Sequence, residues 1–150
     1  MNASLRQPDD FASSRPRRAG ASSAGASFVK GGLAGWQVRR LHVLAGGDLR
    51  ALTAARLAEE ARLSPFYFTR AFGSAMGTTP GRWLTRARVE RARDLLHDPA
   101  LSVSEIARQV GYRGAPQLTR AFRAHFGTSP SAFREENQAE RPEWPRAGAR

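Results

Sequence analysis

Apolar residues recur at helical spacing through the central part of the chain. Trp36, Leu41 and Leu44 lie on one face of a predicted helix, and the Gly46-Gly47 pair marks its end. We find no convincing alternation of apolar and polar residues, which is the pattern of a half-buried strand. The sequence therefore predicts an all-α fold.

Helix start signals divide this part of the chain into separate helices. Proline follows a hydroxyl residue at positions 65, 80 and 130, and Pro is favoured at the first helical position. Ser102 and Glu105 have the spacing of a capping box, in which each side chain satisfies a free backbone N–H. The predicted helices span residues 36–45, 53–62, 65–76, 80–97, 102–110 and 115–126, followed by a last short helix from 130.

A segment of the chain is duplicated. The run from Thr69 to Phe72 recurs 50 residues later as the run from Thr119 to Phe122. Upstream, Ala58 matches Ala107 at an offset of 49, so the second copy has one extra residue in its turn. Each copy consists of a short amphipathic helix, a tight turn and a second helix that glycine ends. This order is typical of a helix-turn-helix unit, and the duplication predicts two such subdomains joined by a long linker helix.

The second helix of each unit has one apolar and one mixed face. Phe68 and Phe72, like Leu118 and Phe122, are four residues apart and should face the core. Six residues nearer the other face are the candidate DNA contacts: Phe66, Thr69, Arg70, Gln117, Thr119 and Arg120. Arginine bonds guanine bidentately, glutamine pairs with adenine, and an apolar ring contacts thymine methyl groups. These residue types therefore favour a recognition helix in the major groove.

The predicted linker helix, residues 80–97, would be about 27 Å long at roughly 1.5 Å per residue. Such a helix can hold two recognition helices about one duplex turn, roughly 34 Å, apart on one face of the DNA. One polypeptide would then supply both recognition helices without dimerising.

Charge strengthens this interpretation. The chain has 24 basic and 13 acidic residues, for a net charge of +11, and all basic residues except Lys30 are arginine. A genome rich in G and C explains why the basic residues are arginine rather than lysine, but it does not explain the excess of basic over acidic residues. An excess of this size favours a polyanionic partner, because basic groups release counterions from a phosphate backbone.

The remaining composition excludes several classes of function. The chain has no cysteine, which excludes disulfides, thiolate metal sites and thiol nucleophiles and suits a reducing cytoplasm. No apolar run approaches the roughly 20 residues of a membrane span. The three histidines lack the spacing of metal ligands and have no carboxylate partner at useful offsets. We therefore expect no cofactor, no metal site and no enzymatic activity.

Composition also divides the chain into segments. Residues 1–31, rich in Ala, Ser, Gly and Arg, are predicted to be a disordered segment, and 135–150 a disordered polar tail. Between them we expect a first subdomain over 32–79, the linker helix over 80–97 and a second subdomain over 98–134.

Residues 36–134 resemble the AraC/XylS family of bacterial regulators. The resemblance rests on the motifs within residues 63–80 and 106–134 and on the linker sequence 88–96. It implies seven helices, arranged as two homeodomain-like helix-turn-helix subdomains around the linker. It also implies base contacts from Phe66, Thr69 and Arg70.

In the second unit the resemblance implies contacts from positions 115–117, Thr119 and Arg120. Here the chain departs from the family pattern, which often has polar residues where this chain has Ala115 and Pro116. Neither side chain donates a hydrogen bond. The second unit is therefore expected to contact mainly the DNA backbone.

The expected function is that of a cytoplasmic, nucleoid-associated transcription regulator, most simply an activator, that binds double-stranded DNA as a monomer and also contacts RNA polymerase. In its domain organisation the chain resembles the short family members that have no sensor domain. The alternative is a non-specific DNA-binding protein or a truncated remnant of a longer, ligand-responsive regulator.

Several residues have two interpretations from sequence alone. Arg88 lies within the apolar arc of the linker helix, which favours a structural arginine over a phosphate contact. Trp36 and Trp83 are expected to be core or helix-packing residues rather than stacking residues. Phe66 is either a DNA contact or partly buried, and Thr69 either contacts DNA or bonds its own helix.

Overall fold

The structure, a computed structural model, describes residues 31–139. Within that range the chain forms seven α-helices and no strand, which confirms the predicted all-α class. The helices are α1 (Gly35–Gly46), α2 (Ala54–Glu60), α3 (Pro65–Met76), α4 (Pro80–Leu95), α5 (Val103–Gln109), α6 (Ala115–Phe126) and α7 (Pro130–Ala139). None of these helices is long and apolar enough to cross a membrane.

Three predicted boundaries differ from the structure by two residues or more. Helix α2 ends at Glu60, two residues before the predicted end, and Arg62 lies in the turn that follows. The linker helix α4 ends at Leu95, two residues before the predicted end. The predicted tail at 135–150 is wrong in its first part, because α7 continues to Ala139. Its glutamates, Glu135 and Glu136, are exposed, and a helix accepts charged residues on the face that meets water. The rest of that tail, and the predicted disordered segment 1–31 apart from Gly31, lie outside the described residues.

Hydroxyl side chains cap the start of five of the helices. In each case the hydroxyl oxygen accepts a hydrogen bond from the backbone N–H three residues later, over 3.1–3.3 Å. The five capping residues are Thr53, Ser64, Thr79, Ser102 and Ser129. The predicted capping box is confirmed, since the Glu105 carboxylate accepts from the Ser102 backbone N–H over 2.8 Å. That carboxylate also accepts from the Ser102 hydroxyl, which lowers the pKa of Glu105.

Buried side chains form two separate hydrophobic cores. The first lies among α1, α2, α3 and the start of α4, and comprises Leu33, Leu41, Leu49, Leu52, Leu57, Ala58, Ala61, Phe68, Ala71, Phe72 and Leu84. The second lies among the end of α4, α5 and α6, and comprises Val89, Ala92, Leu96, Ile106, Ala107, Val110, Leu118 and Phe122. The linker helix therefore contributes its first half to one core and its second half to the other.

The two cores repeat the same aromatic contact. The Phe72 ring lies 5.7 Å from the Trp83 ring, and the Phe122 ring lies 5.7 Å from the Phe133 ring, both in edge-on geometry. Because Trp83 is in the first half of α4 and Phe133 is in α7, these two segments are structurally equivalent. The sequence duplication is thus a duplication of packing as well.

Candidate nucleic-acid interface

The first unit is built from α2, a tight turn and α3. Arg62, in the turn, has a left-handed backbone with φ of 56°, which reverses the chain direction. The Leu63 N–H donates to the Ala58 carbonyl over 3.0 Å and closes the end of α2. Helix α3 then buries Phe68 and Phe72, as predicted, and its opposite face meets solvent.

The second unit repeats this geometry with α5 and α6. Gly111 occupies the position of Arg62 and has φ of 94°, and the Tyr112 N–H donates to the Ala107 carbonyl over 2.9 Å. The predicted core residues Leu118 and Phe122 are fully buried. The predicted pair of helix-turn-helix units is therefore confirmed by matching turns and matching buried faces.

In the first unit the candidate contacts lie on the solvent face of α3. Phe66 is 75% exposed, which excludes the alternative that it is partly buried. The Arg70 guanidinium lies 5.9 Å from the centre of the Phe66 ring, so both side chains share one surface. Thr69 is exposed, but its hydroxyl donates to the Pro65 carbonyl over 2.9 Å, the self-bonding alternative that the sequence left open.

In the second unit Gln117 and Arg120 are exposed and Thr119 is half-buried. Gly114 precedes α6 and provides no side-chain cap, whereas Ser64 caps α3. The structure thus brings each unit's candidate residues together on one recognition helix.

Acidic residues distinguish α2, α4, α5 and α7 from the two recognition helices. Arg40 and Arg56 both pair with Glu60, and Arg86 on α4 pairs with Glu90, all within 3.1 Å. By contrast, α3 and α6 contain no acidic residue. In the described part of the chain neither Arg70 nor Arg120 forms an ion pair. The positive charge of both helices therefore remains available to a polyanion.

Tyr67 is a further candidate for DNA contact that was not predicted from the sequence. Tyr67 is 47% exposed and occupies the position in α3 that Gln117 occupies in α6. The offset of 50 residues in the duplication was the signal that would have found it, because it pairs these two positions directly.

The two tryptophans differ from each other. Trp83 is half-buried and packs against the first core, as expected. Trp36 is 43% exposed, so its interpretation as a core residue is wrong. It lies beside Leu63 and Tyr67 at the surface, whereas the neighbouring Gln37 is buried.

Comparisons with known proteins agree with this geometry. A family model described as a helix-turn-helix domain matches residues 57–136, more than half of the chain. The HTH-type transcriptional regulator Rv1931c of Mycobacterium tuberculosis is 37% identical over 91 residues, which cover 61% of this chain and 34% of that protein. The Msm operon regulatory protein of Streptococcus mutans is 32% identical over 103 residues, which cover 68% of this chain and 36% of that protein.

A solved structure shows the same architecture. The crystal structure of the DNA-binding domain of AdpA, a global transcriptional factor, in complex with a target DNA superimposes with a TM-score of 0.66 and 32% identity. The match covers 71% of this chain and 96% of that one. The chain spans about a third of the length of the curated relatives it matches. The predicted family is confirmed: the chain belongs to the AraC/XylS family of helix-turn-helix transcription regulators.

Proposed function

We propose that this chain binds specific sequences of double-stranded DNA by inserting α3 and α6 into successive segments of the major groove. One observation carries the proposal: both recognition helices expose an acid-free face with an unpaired arginine at the same position, Arg70 and Arg120. Such a face attracts phosphate and also supplies donors for base edges. The DNA complex of the AdpA domain, with the same fold, supports this partner.

The first unit is the main base reader in this proposal. Arg70 is free to bond a guanine bidentately, and the exposed Phe66 ring supplies apolar contact for a thymine methyl group. Thr69 donates to DNA only where its hydroxyl gives up the Pro65 carbonyl, but its oxygen can accept a hydrogen bond and its methyl group can contact a thymine methyl in either case. The proximity of the Phe66 ring to the Arg70 guanidinium restricts the orientation of both side chains before DNA arrives.

The second unit mainly contacts the DNA backbone. Pro116, at the position of Phe66, is exposed and has no side-chain donor. Arg120 supplies charge, and Gln117 and Thr119 supply short polar contacts. Phosphate contacts of this kind fix the register of a protein on the duplex and carry little sequence information.

The chain acts on DNA as a monomer in this proposal. A single polypeptide contains two complete helix-turn-helix units, whereas proteins with one unit dimerise to read two half-sites. Sedimentation of the complex with a short duplex should therefore give one chain per DNA molecule.

Contact with RNA polymerase and activation of transcription complete the proposal. Its support is family membership alone, and the test is transcription in vitro with purified polymerase from a promoter that carries the bound sequence. Increased transcript with the protein present supports activation, whereas decreased transcript identifies a repressor.

Selection of bound duplexes from a random pool tests the proposed function directly. The affinity for the selected duplex is then compared with that for a scrambled duplex across a salt series. We expect a preference of about 10³-fold or more for the selected sequence. A ratio below about tenfold would contradict specific recognition and favour non-specific binding, in which affinity comes from phosphate contacts alone.

A further inference from the structure

Arg88 lies near the middle of the linker helix α4, between the two cores. Its Nη2 donates to the Leu52 carbonyl over 2.8 Å and to the Leu49 carbonyl over 3.3 Å. Both carbonyls belong to the loop between α1 and α2, which is part of the first unit. The structural interpretation of Arg88 is therefore confirmed, and its hydrogen bonds are made to the first unit.

The same guanidinium also contacts the second unit. It lies 5.6 Å from the centre of the Tyr112 ring, which is in the turn before α6. The Tyr112 hydroxyl makes no hydrogen bond to Arg88, and burial raises its pKa. The aromatic face of Tyr112, rather than its hydroxyl, is thus the group that Arg88 engages.

Gly111 brings the second unit close to this arginine. A Cβ atom at position 111 would lie 2.7 Å from the Leu49 carbonyl oxygen and 3.0 Å from Nε of Arg88. The turn of the second unit therefore packs directly on the α1–α2 loop of the first. We call the group formed by Leu49, Leu52, Arg88, Gly111 and Tyr112 the junction.

The junction is placed to control how the two units are oriented. Each core belongs to one unit, and α4 is the element that packs against helices of both. If α4 alone joined the two units, they could bend and twist relative to each other about the middle of this helix. Contacts from Arg88 to both units remove that freedom, because a guanidinium holds its donors in one rigid plane.

We propose that Arg88 is a positioning residue that sets the relative orientation of α3 and α6, and with it the half-site spacing that the protein accepts. This inference rests on the proposed function, in which both helices contact DNA. It also requires that the exposed Gln117 on α6 read at least one base pair of the second half-site, because phosphate contacts alone are the same at every spacing. Adding one base pair between two half-sites moves one of them by roughly 3.4 Å and rotates it by roughly 34°. A rigid junction must therefore discriminate between spacings, whereas a loose one tolerates several.

The test uses the full chain and duplexes selected by the unaltered protein from a random pool. The duplex is varied by inserting or deleting one or two base pairs between its halves, and in another version the second half is scrambled. Arg88→Met keeps the apolar stem and removes the guanidinium. Arg86→Met is the matched control, because Arg86 is on the same helix but pairs only with the exposed Glu90.

For the unaltered protein and Arg86→Met we expect affinity to fall by about tenfold or more when the spacing changes, as for loss of a half-site contact. For Arg88→Met we expect weaker binding at the original spacing and nearly equal affinity at all spacings, within about threefold. Its affinity for the duplex with the scrambled second half should match that of the unaltered protein. Arg88→Lys and Tyr112→Leu should give the same flattened profile in weaker form.

Residual dipolar couplings of the DNA-free proteins provide a readout that does not depend on DNA. Arg88→Met should change the orientation of α6 relative to α3, and Arg86→Met should not. If Arg88→Met does not fold, the spacing profile and the dipolar couplings are measured on Arg88→Lys and Tyr112→Leu instead.

A lower melting temperature with an unchanged spacing profile and unchanged couplings would overturn the inference and leave Arg88 a stabilising residue only. If the unaltered protein is itself indifferent to spacing, the inference also fails, while base reading by the first unit stands. A failure of the proposed function is distinct, because it appears as equal affinity of the unaltered protein for selected and scrambled duplexes.

Discussion

The two helix-turn-helix units share their backbone but differ where they meet other molecules or each other. Both have a left-handed residue in the turn and a phenylalanine 5.7 Å from an aromatic partner. At the start of the recognition helix, however, the first unit exposes Phe66 and the second exposes Pro116. Packing thus determines the shared features, whereas the solvent-facing positions are free to differ and give each unit its own task.

The turns of the two units also differ according to their surroundings. Arg62 is exposed, so an arginine is tolerated there at the cost of a strained backbone. Gly111 is enclosed by the Leu49 carbonyl and Arg88, which leave no space for a side chain. Equivalent turns therefore accept different residues because only the second is part of the junction.

Substitution in the turns should give the largest difference between the units. We expect Gly111→Ala to destabilise the protein by about 2–4 kcal/mol, from left-handed strain and overlap with a backbone carbonyl. Arg62→Gly, which relieves strain and adds chain entropy, should change stability by less than about 1 kcal/mol. Urea unfolding followed by circular dichroism measures both, and equal losses would show that the second turn is not enclosed.

Removing the equivalent arginines should separate the roles of the recognition helices. Arg70→Ala should cost about 1–3 kcal/mol on the selected duplex and relax the preference at one base pair. Arg120→Ala should weaken selected and scrambled duplexes equally and reduce the salt slope by about 1. Titrations by fluorescence anisotropy across salt measure these effects, with Arg86→Ala as the control. The comparison breaks down if both variants lose affinity in the same pattern.

The helix caps should differ in pH dependence. Thr53→Ala and Ser102→Ala should each cost about 1 kcal/mol at neutral pH. Of these two hydroxyls, Ser102 bonds a carboxylate, that of Glu105, and this bond lowers the pKa of Glu105. The stability that the bond contributes is therefore fully present above the pKa of Glu105 in the unfolded chain. It is lost as the pH falls through the lower pKa of Glu105 in the folded protein. The cost of Ser102→Ala should therefore shrink in acid while that of Thr53→Ala does not.

Stability curves at several pH values, with an NMR titration of Glu105, measure that difference. A cost of Ser102→Ala that stays constant down to acid pH would show that the hydrogen bond from the Ser102 hydroxyl to Glu105 adds nothing to the hydroxyl cap.

A gain of function is the smallest expected effect. Pro116→Gln introduces a donor and an acceptor at the start of α6 and should add about 1 kcal/mol or less of preference at one base pair of the second half-site. A repeated selection with this variant would reveal the new preference. An unchanged selected sequence would indicate that the start of α6 does not reach base edges.

The residues of the site could be predicted where the spacing of apolar residues along the chain was regular. Phe68, Phe72, Leu118 and Phe122 were placed correctly in the core because helical spacing identifies one face of a long helix. The exposure of Trp36 was not predictable, because spacing indicates a face but not whether another element covers it. The helical continuation of α7 was missed since charged composition does not itself end a helix.

The sequence by itself determined the all-α class, the duplication and the surface on which Arg70 and Arg120 lie, because each depends on local periodicity and capping. Only the tertiary structure decided the contacts of Arg88, which join residues 36 and 39 positions apart to the turn at Tyr112. Such contacts depend on how helices pack in three dimensions, and no local pattern encodes them. The relation between the two units is therefore a property of the fold, whereas the units themselves were evident in the sequence.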